Sequence, residues 1–268
     1  NSMTFVIAIF RGFLNLIYAL FKLLPVRDKI TLISRQSDFP SEDFLMLKAE
    51  IEKQGPKTEV KILSKKLRKS PGALISYIGH IFVQMYHIAT SKTVVLDSYC
   101  IAVSVLKQRR SLRVVQIWHA MGALKRFGLS ILGEEEGSDP NLAKAMRMHR
   151  NYTYVLASGK ACVKPFSEAF GCLEKSVVIG SLPRVDRLMS EEIKQRTIDK
   201  IFDIYQELKQ AKDCDKKIIV YAPTFRKHKD ISSEIEDLIN KISSEDRIIV
   251  IKKHPLMKLC IEDRPGVI

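Results

Sequence analysis

Apolar and polar positions follow two alternating patterns along most of the chain. After Pro25, short runs rich in β-branched residues alternate with longer stretches in which apolar residues recur at helical spacing. The short runs predict strands, and the longer stretches predict amphipathic helices. Strands that alternate with helices are typical of a parallel sheet with helices on both faces. The predicted strands cover residues 30–34, 59–63, 93–96, 114–118, 152–157 and 177–179.

The predicted helices between these strands cover residues 41–53, 71–89 and 160–170. Ser41 opens the first of them as a cap, with Glu42 and Asp43 in its first turn. Residues 190–217 are charged, favour helix and contain no strand signal, after which a strand at 217–222, a helix at 232–242 and a strand at 247–252 follow. We therefore predict an α/β fold of two Rossmann-like, doubly wound parallel-sheet domains. Residues 26–182 form the first, and residues 183–268 are a linker and a partial second domain.

The second domain has fewer strand signals than a doubly wound domain usually contains. Two strands are evident before the sequence reaches Ile268, in a stretch with Arg264, Pro265 and Gly266 that is typical of a loop. Covering both faces of such a sheet takes more elements than these. We expect the second domain to be incomplete in this chain.

The first 25 residues raise the question of membrane contact, because residues 4–24 are almost entirely apolar. Thr4, Arg11, Asn15 and Lys22 are spaced 7, 4 and 7 apart, which places them on one narrow stripe of a helix. Such an amphipathic helix is typical of the interfacial plane of a bilayer. Two alternatives stay open: a helix packed on the core with its stripe facing water, and an uncleaved signal anchor. Residues 1–25 are assigned as the membrane-surface helix, with expected membrane contacts at Phe5, Phe10, Arg11, Phe13, Tyr18, Phe21 and Lys22.

Positive charge is concentrated in the first part of the chain. The formal net charge is +14, and residues 1–113 contain 18 basic and 8 acidic side chains, a net charge of +10. Such a segment attracts polyanions, among them anionic lipid head groups and phosphate polymers. Nucleic acid is a poorer candidate, because the basic residues lack aromatic interleaving and any recognised binding module. The five cysteines are dispersed without a C-x-x-C motif, which argues against a disulfide framework and a structural zinc site. We expect no metal and no cofactor.

A histidine directly follows one predicted strand. His119 lies in the run QIWHAMG (residues 116–122), and Lys125 and Arg126 follow it. Ligands of open parallel sheets bind at the carboxyl ends of the strands. A histidine there can act as a general base near neutral pH. Its position alone is equally compatible with a structural histidine bonded to a loop carbonyl.

Three more loops place cationic or hydroxyl side chains after predicted strands. The run IVIKKHP (249–255) contains Lys253 and His254, YAPTFR (221–226) contains Thr224 and Arg226, and GSLPRVD (180–186) contains Arg184. Such groups hold phosphate oxygens and offset charge that develops on them. The chain contains no G-x-G-x-x-G, G-x-x-x-x-G-K-[ST], H-E-x-x-H or G-x-S-x-G motif. This argues against a dinucleotide oxidoreductase, a P-loop NTPase, a zincin and an α/β-hydrolase.

Taken in order, these loops resemble the CDP-glycerol glycerophosphotransferase family of teichoic-acid and related polymer synthesis. The matching segments are a Trp-His-Gly-like loop at 116–122, a Gly-x-Pro-Arg-x-Asp pattern at 180–186, the Tyr-Ala-Pro-Thr-Phe-Arg run, and Lys-His-Pro at 253–255. The resemblance implies a glycosyltransferase-B-like architecture and a bacterial, peripheral enzyme at the cytoplasmic face of the cell membrane. It implies transfer of a polyol phosphate from CDP-glycerol or CDP-ribitol to a lipid-linked polyol-phosphate acceptor, with release of CMP.

The resemblance also assigns roles to residues. His119 is the expected base for the acceptor hydroxyl, and His254 the expected contact to the donor diphosphate. Further expected substrate contacts are Arg184, Thr224, Arg226, Lys253, Lys125 and Arg126.

The sequence departs from the family pattern at two places. Ala120 follows His119 where the family commonly has Gly, and the family's later Asp-Tyr-Ser-Ser-like loop does not occur before Ile268. If Ile268 is the true terminus, we expect little or no transfer by this chain. Two alternatives stay open: a sugar-nucleotide glycosyltransferase of the same architecture, and a non-catalytic membrane-surface module that binds phosphate polymers.

Overall fold

The computed structural model describes residues 2–68, 70–224, 230–254, 257 and 259–268. The chain divides into two compact units, Asn1–Arg187 and Leu188–Ile268. The boundary lies five residues beyond the predicted one, because Leu182 is buried against the first sheet and Arg184 is bonded to Asp43. The N-terminal helix, predicted as a separate segment, belongs to the first unit.

The first unit contains a six-stranded parallel sheet. Its strands are β1 (Lys29–Ser34), β2 (Glu59–Ser64), β3 (Thr93–Leu96), β4 (Arg113–Gln116), β5 (Tyr154–Ala157) and β6 (Val177–Ile179). They lie in the order β2-β1-β3-β4-β5-β6, and every neighbouring pair is parallel. The chain leaves β1 for β2 on one side and later continues from β3 to β4 on the other. The direction of winding therefore reverses between β1 and β3, which is the switch point where such sheets bind ligands.

In the described part of this unit, seven α-helices accompany the sheet. They are α1 (Ser2–Phe21), α2 (Glu42–Gln54), α3 (Pro71–Ala89), α4 (Ile101–Val105), α5 (Pro140–Ala145), α6 (Val163–Phe170) and α7 (Pro183–Leu188). Ser41 caps α2 as predicted, since its side chain accepts a hydrogen bond from the main-chain N of Phe44. Gly171 ends α6 in the left-handed region, at φ 60°, which glycine adopts without a Cβ clash.

Both faces of the sheet are buried. Along β3, Val94 and Leu96 pack in one cluster with α1, α3 and α4, whereas Val95 between them packs on the opposite face with Phe44 of α2. Alternate residues of a strand point to opposite faces, so helices must cover both. A third cluster joins β5, β6 and α6 around Phe166 and Phe170. This arrangement confirms the predicted α/β fold class.

The side of α1 that packs on the first unit is its polar one. Its polar stripe faces the rest of the unit: Arg11 donates to the main-chain O of Ala145, and Asn15 bonds to main-chain groups of Val105 and Lys107. The alternative of a core helix with this stripe facing water was wrong, because main-chain groups of neighbouring elements need these polar partners. The exposed apolar face of α1 contains Phe5, Val6, Ile9, Phe10, Phe13, Leu16 and Leu20.

Two aromatic residues expected at a membrane are turned inward instead. Tyr18 is fully buried, and its hydroxyl donates to Gln108. Phe21 packs edge-on against Tyr86 at 6.2 Å between ring centroids. The expected membrane contact of Tyr18 is thereby corrected, because a side chain without exposed surface cannot touch lipid. Lys22 bonds to the main-chain O of Lys107.

The second unit contains α8 (Glu191–Ile204), α9 (Gln206–Asp213), β7 (Lys217–Tyr221), α10 (Ser232–Ile242) and β8 (Arg247–Ile251). β7 and β8 are parallel and pair in register from Lys217↔Arg247 to Tyr221↔Ile251. Ile235 and Ile239 of α10 pack against Ile249 of β8, which gives this unit its own core.

Candidate active site at the carboxyl edge of the sheet

His119 lies over the carboxyl ends of β1 and β3. Its Nδ1 is 2.9 Å from the main-chain O of Asp97 and 3.1 Å from Nε2 of Gln36. A carbonyl oxygen only accepts hydrogen bonds, so the contact with Asp97 requires a proton on Nδ1 and leaves a lone pair on Nε2. The Gln36 amide then has to present its oxygen rather than its nitrogen, a rotation of the side chain by half a turn. In this tautomer Nε2 of His119 is able to accept a proton at the edge of the sheet.

The loop that carries His119 is held by a buried glutamine. Gln116 donates from Nε2 to the main-chain O of Ser98 and accepts at Oε1 from the main-chain N of Trp118. β4 ends at Gln116, two residues earlier than predicted, because these bonds replace the strand pairing. Both β3 and β4 therefore fix the position of His119.

Trp118 adopts a left-handed backbone conformation, at φ 60°. This conformation is costly for a bulky residue and persists only where the surroundings enforce it. The indole stacks on Phe127, with 5.1 Å between centroids and 17° between planes, and meets the edge of Phe170 at 5.3 Å. The His119 imidazole lies against this cluster, with 4.0 Å between its centroid and that of the indole, and its Nδ1 reaches Asp97 and Gln36 at the strand ends.

A buried carboxyl group accompanies His119. Asp97 is 2% exposed, and its Oδ1 accepts a hydrogen bond from Ser98 Oγ at 2.9 Å. Burial raises the pKa of Asp97, while bonds from Ser34 and Ser98 and the charge of His119 oppose that rise. In its ionised form the carboxylate stabilises a protonated His119. Sequence reasoning missed Asp97 and Gln36. Asp97 directly follows one predicted strand and Gln36 is the second residue after another, so both carry the signal that singled out His119.

Arg184 lies at the same edge of the sheet but is bonded within the unit. Its Nε donates to Oδ2 of Asp43 at 2.7 Å, and its main-chain N donates to Oδ1 at 2.8 Å. Asp43 is fully buried, and its hydrogen bond raises the pKa of Arg184. Arg187 pairs with Glu42 beside it. The guanidinium of Arg184 therefore has to bind Asp43 and the expected phosphate at the same time.

Lys125 and Arg126 face the acidic run that follows them. Lys125 Nζ is 3.6 Å from Glu136, and Arg126 Nη2 is 3.4 Å from Glu134. All four side chains are more than half exposed, and ion pairs of this kind contribute little stability. A phosphate group can displace these carboxylates at low cost, so both cations remain candidates for substrate contact.

The second unit places Thr224 and His254 at one edge of its sheet. Each lies three residues beyond the end of its strand, and Tyr221 and Ile251, where the two strands end, are paired in register. Lys252 extends this pairing through a 2.9 Å bond from its main-chain N to the O of Tyr221. Lys253 and Thr224 are exposed. Arg226 lies outside the described residues.

No three His, Cys, Asp or Glu side chains form a metal-binding group in the part of the chain that the structure describes.

The known proteins that this chain resembles are teichoic acid primases and polymerases. The chain is 32% identical over 263 residues to the teichoic acid ribitol-phosphate primase of Bacillus spizizenii, covering 95% of this chain and 66% of that protein. It is 31% identical to the teichoic acid poly(ribitol-phosphate) polymerase of the same organism, covering 90% of this chain and 38% of the polymerase. It is 27% identical to the teichoic acid glycerol-phosphate primase of Bacillus subtilis, covering 67% of this chain and 45% of that protein. The chain thus spans less than two thirds of the length of these relatives.

A solved structure shares the fold. The wall teichoic acid polymerase TagF superimposes with a TM-score of 0.60 at 17% identity, covering 96% of this chain and 66% of that one. The family model described as CDP-glycerol:poly(glycerophosphate) glycerophosphotransferase matches residues 16–267. A match over nearly the whole chain confirms the resemblance seen in the four loops. The chain belongs to the CDP-glycerol:poly(glycerophosphate) glycerophosphotransferase family.

Proposed function

We propose that this protein transfers a polyol phosphate from a CDP-activated donor to a hydroxyl group of a polyol-phosphate acceptor and releases CMP. The observation that carries the proposal is the base at the sheet edge, His119, with Nδ1 bonded to the main-chain O of Asp97. Family membership supports the reaction class. The relatives are named for both ribitol phosphate and glycerol phosphate, so both CDP-ribitol and CDP-glycerol are candidate donors.

The chemistry assigned to His119 is proton transfer. Nε2 accepts the proton of the acceptor hydroxyl as its oxygen attacks the β-phosphate of the donor. A new P–O bond forms to the acceptor, the P–O bond to CMP breaks, and CMP leaves with the electron pair. The ionised carboxylate of the nearby Asp97 offsets the positive charge that His119 gains in this step.

The donor diphosphate is assigned to the second unit. Thr224, Lys253 and His254 follow two adjacent parallel strands, and such strand ends bind phosphate groups in α/β domains. A hydroxyl and an ammonium group stabilise charge that develops on the leaving phosphate. A variant of TagF has been soaked with CDPG, which supports a CDP-linked donor in this family.

The protein is assigned to the cytoplasmic face of the cell membrane, where it reaches a lipid-linked acceptor. Over Thr4–Phe21, α1 is long and apolar enough to cross a membrane. Core helices of soluble proteins and signal sequences have the same length and apolar composition. Its polar stripe is bonded to the unit, so one apolar face is left for lipid, which fits a helix lying in the membrane plane. The net charge of +10 on residues 1–113 favours an anionic leaflet.

The test of the transfer reaction is CMP release from CDP-glycerol and CDP-ribitol, with a lipid-linked glycerophosphate analogue as acceptor. It is run on this chain and on a form extended past Ile268. We expect acceptor-dependent release that falls by about 100- to 10,000-fold in His119→Ala, the range of general-base catalysis. Met121→Ala, an exposed position of the same loop, is the matched control and should keep full activity. If neither form releases CMP from any donor, the transferase is refuted and a polymer-binding module is left.

The test of membrane attachment is flotation with vesicles that contain anionic lipid. Phe13 is 53% exposed on α1, and Phe13→Ser should weaken binding by about tenfold or more, since the apolar ring no longer enters the bilayer. Phe39→Ser is the control, because Phe39 is 76% exposed but lies outside α1. Equal binding of both variants would contradict attachment through this helix.

A further inference from the structure

Arg35 directly follows β1 at the switch point of the sheet. β1 and β3 are neighbours whose onward connections run in opposite directions. Arg35 is the first residue after β1, and Tyr99 is the third residue after β3. In sheets of this kind the crevice outside these two strand ends is where ligands bind. None of the four loops that resemble the family contains Arg35.

The guanidinium of Arg35 is held in a fixed position. Its central carbon lies 4.9 Å from the ring centroid of Tyr99, a stacking distance for a cation on an aromatic face. The ring of Tyr99 is 7% exposed, its hydroxyl donates to the main-chain O of Met146 at 3.3 Å, and its edge meets His149 at 5.5 Å. The main-chain N of Arg35 donates to Ser98 Oγ. Both ends of the residue are therefore anchored, and the planar donor group is oriented before any ligand arrives.

The charge of Arg35 has no carboxylate partner among the residues that the structure describes. Arg68, Arg184 and Arg187 of this unit differ from it, since each pairs with an Asp or Glu. Arg35 is partly buried, so water screens its charge less than on an open surface. The charge of Arg35 acts on its neighbour His149. Burial, the larger cause, and the charge of Arg35, the smaller one, lower the pKa of His149 to about 4. An oriented, uncompensated guanidinium in a crevice is a site for an oxyanion.

His119 lies beside the same two strand ends. Residues 97–99 contact both side chains, because Asp97 accepts from His119 and Tyr99 supports Arg35. Gln36, the next residue after Arg35, contacts Nδ1 of His119. An oxyanion bound by Arg35 therefore lies on the side of the sheet where His119 takes a proton.

We propose that Arg35 binds a phosphate group of the acceptor, the one nearest the hydroxyl that His119 deprotonates. This inference rests on the proposed function. It adds an acceptor-side phosphate site, built from Arg35, Tyr99 and Ser98, to the donor-side contacts of the second unit. A planar guanidinium donates two parallel hydrogen bonds to a phosphate, which fixes orientation as well as position. Arg35 is accordingly a specificity residue for acceptors that carry phosphate close to the reactive hydroxyl.

The binding test needs no donor and no turnover. Trp118 is the single tryptophan of the chain and lies 4.0 Å from His119 between ring centroids, so its fluorescence reports on this crevice. Inorganic phosphate and sn-glycerol 3-phosphate are titrated into this chain at low ionic strength. We expect Arg35→Ala to raise both dissociation constants by about 10- to 100-fold, the range for hydrogen bonds to a charged group. Arg35→Lys should give a smaller rise, since an ammonium group keeps the charge but not the paired donors.

Two further variants make the result specific. Arg113→Ala removes an exposed arginine at the start of β4, the opposite edge of the same sheet, and should bind phosphate as the wild type does. His119→Ala should keep phosphate binding while it loses transfer. Circular dichroism and thermal melting check that each variant is folded. If Arg35→Ala does not fold, Arg35→Lys is compared with the wild type in its place.

The outcomes separate this inference from the proposed function. Wild-type dissociation constants in both Arg35 variants, or no phosphate binding by the wild type, overturn the inference, whether or not CMP is released. Phosphate binding that depends on Arg35 in a protein that releases no CMP supports the site and refutes the transferase. Where transfer occurs, Arg35→Ala should raise the KM for the acceptor and leave the KM for the donor unchanged. The reverse pattern would place Arg35 on the donor side and overturn the inference.

Discussion

At the scale of single residues, a few buried polar side chains fix the candidate active site. Gln116 holds the His119 loop, the main-chain O of Asp97 bonds to the imidazole, and Asp43 holds Arg184. Each is nearly or fully buried and hydrogen bonded, as a buried polar group has to be if the fold is to be stable. Their loss should therefore cost more than the loss of an exposed charge.

Asp43→Ala tests this difference in stability. The change leaves the Arg184 guanidinium, whose side chain is 36% exposed, without its carboxylate. Removing one partner of a fully buried pair costs several kcal/mol, and partial exposure reduces this to about 2 kcal/mol. Glu42→Ala breaks the neighbouring exposed pair with Arg187 and should cost less than about 1 kcal/mol. Urea unfolding midpoints compare the two variants, and equal losses would contradict a structural role for Asp43.

His149 should make the protein sensitive to acid. It is 5% exposed, and burial followed by the charge of Arg35 lowers its pKa from 6.5 to about 4. Between these two values the unfolded chain binds a proton that the folded chain does not. The free energy of unfolding therefore falls as the pH falls from 7 to 5, by about 2 kcal/mol from this residue.

The check is His149→Gln, with urea unfolding of the wild type and the variant at pH 7 and pH 5. The variant should lose about 2 kcal/mol less than the wild type over this interval. His87, whose pKa is also lowered to about 4, is present in both proteins, so its contribution cancels in the comparison. An unchanged pH dependence would mean that His149 is not held neutral by the fold.

At the scale of elements, α1 shows that hydrophobic pattern alone does not set the orientation of a helix. A lone helix places its polar stripe toward water. In this unit the stripe satisfies main-chain groups at the ends of α4 and α5 and at Lys107, and the apolar face is left outside. Buried main-chain groups without partners are costly, so these bonds decide the orientation.

Exchanging polarity at two adjacent positions tests this orientation. Asn15→Leu removes the bonds to Val105 and Lys107 and should lower the free energy of unfolding by about 1–3 kcal/mol. Leu16 is 68% exposed, so Leu16→Asn should change stability by less than about 0.5 kcal/mol while weakening vesicle binding. Thermal unfolding and vesicle flotation of the pair give the answer. A larger loss of stability in Leu16→Asn would show that α1 packs the other way round.

At the scale of the whole molecule, the two units have separate cores. The six-stranded sheet and its three clusters lie within Asn1–Arg187, whereas Ile235, Ile239 and Ile249 belong to Leu188–Ile268. A unit with its own covered sheet can fold alone, but two strands seldom suffice.

Expressing the units separately tests their independence. Residues 1–187 should give a soluble protein with one cooperative thermal transition, since the strands and helices that bury one another are all present. Residues 188–268 should melt at a lower temperature or without cooperativity. Circular dichroism and calorimetry of both fragments and of the whole chain measure this. A fragment 1–187 without a cooperative transition would show that the first unit depends on the second.

The sequence predicted much of the fold because strands in a doubly wound sheet are buried on both faces. Continuous β-branched runs such as the one in β3 carry that signal locally, and its predicted limits match the observed strand. The ends of the elements were less certain. β4 ends at Gln116 rather than Trp118, because a side chain takes over the hydrogen bonds of the strand. The short helices α4, α5 and α7 were missed, because a helix of five or six residues is too short for its apolar residues to show a helical period.

The sequence by itself determined the fold class, the family and the position of His119, because each depends on a local run of residues or on a loop directly after a strand. Only the tertiary structure decided which groups surround His119 and which way α1 faces. Asp97 and Gln36 are 22 and 83 positions away from His119, and Asn15 meets Val105 across 90 positions. Contacts at such separations depend on the order of the strands and on which main-chain groups lack partners. A local pattern of residues predicts neither the order of the strands nor which main-chain groups lack partners.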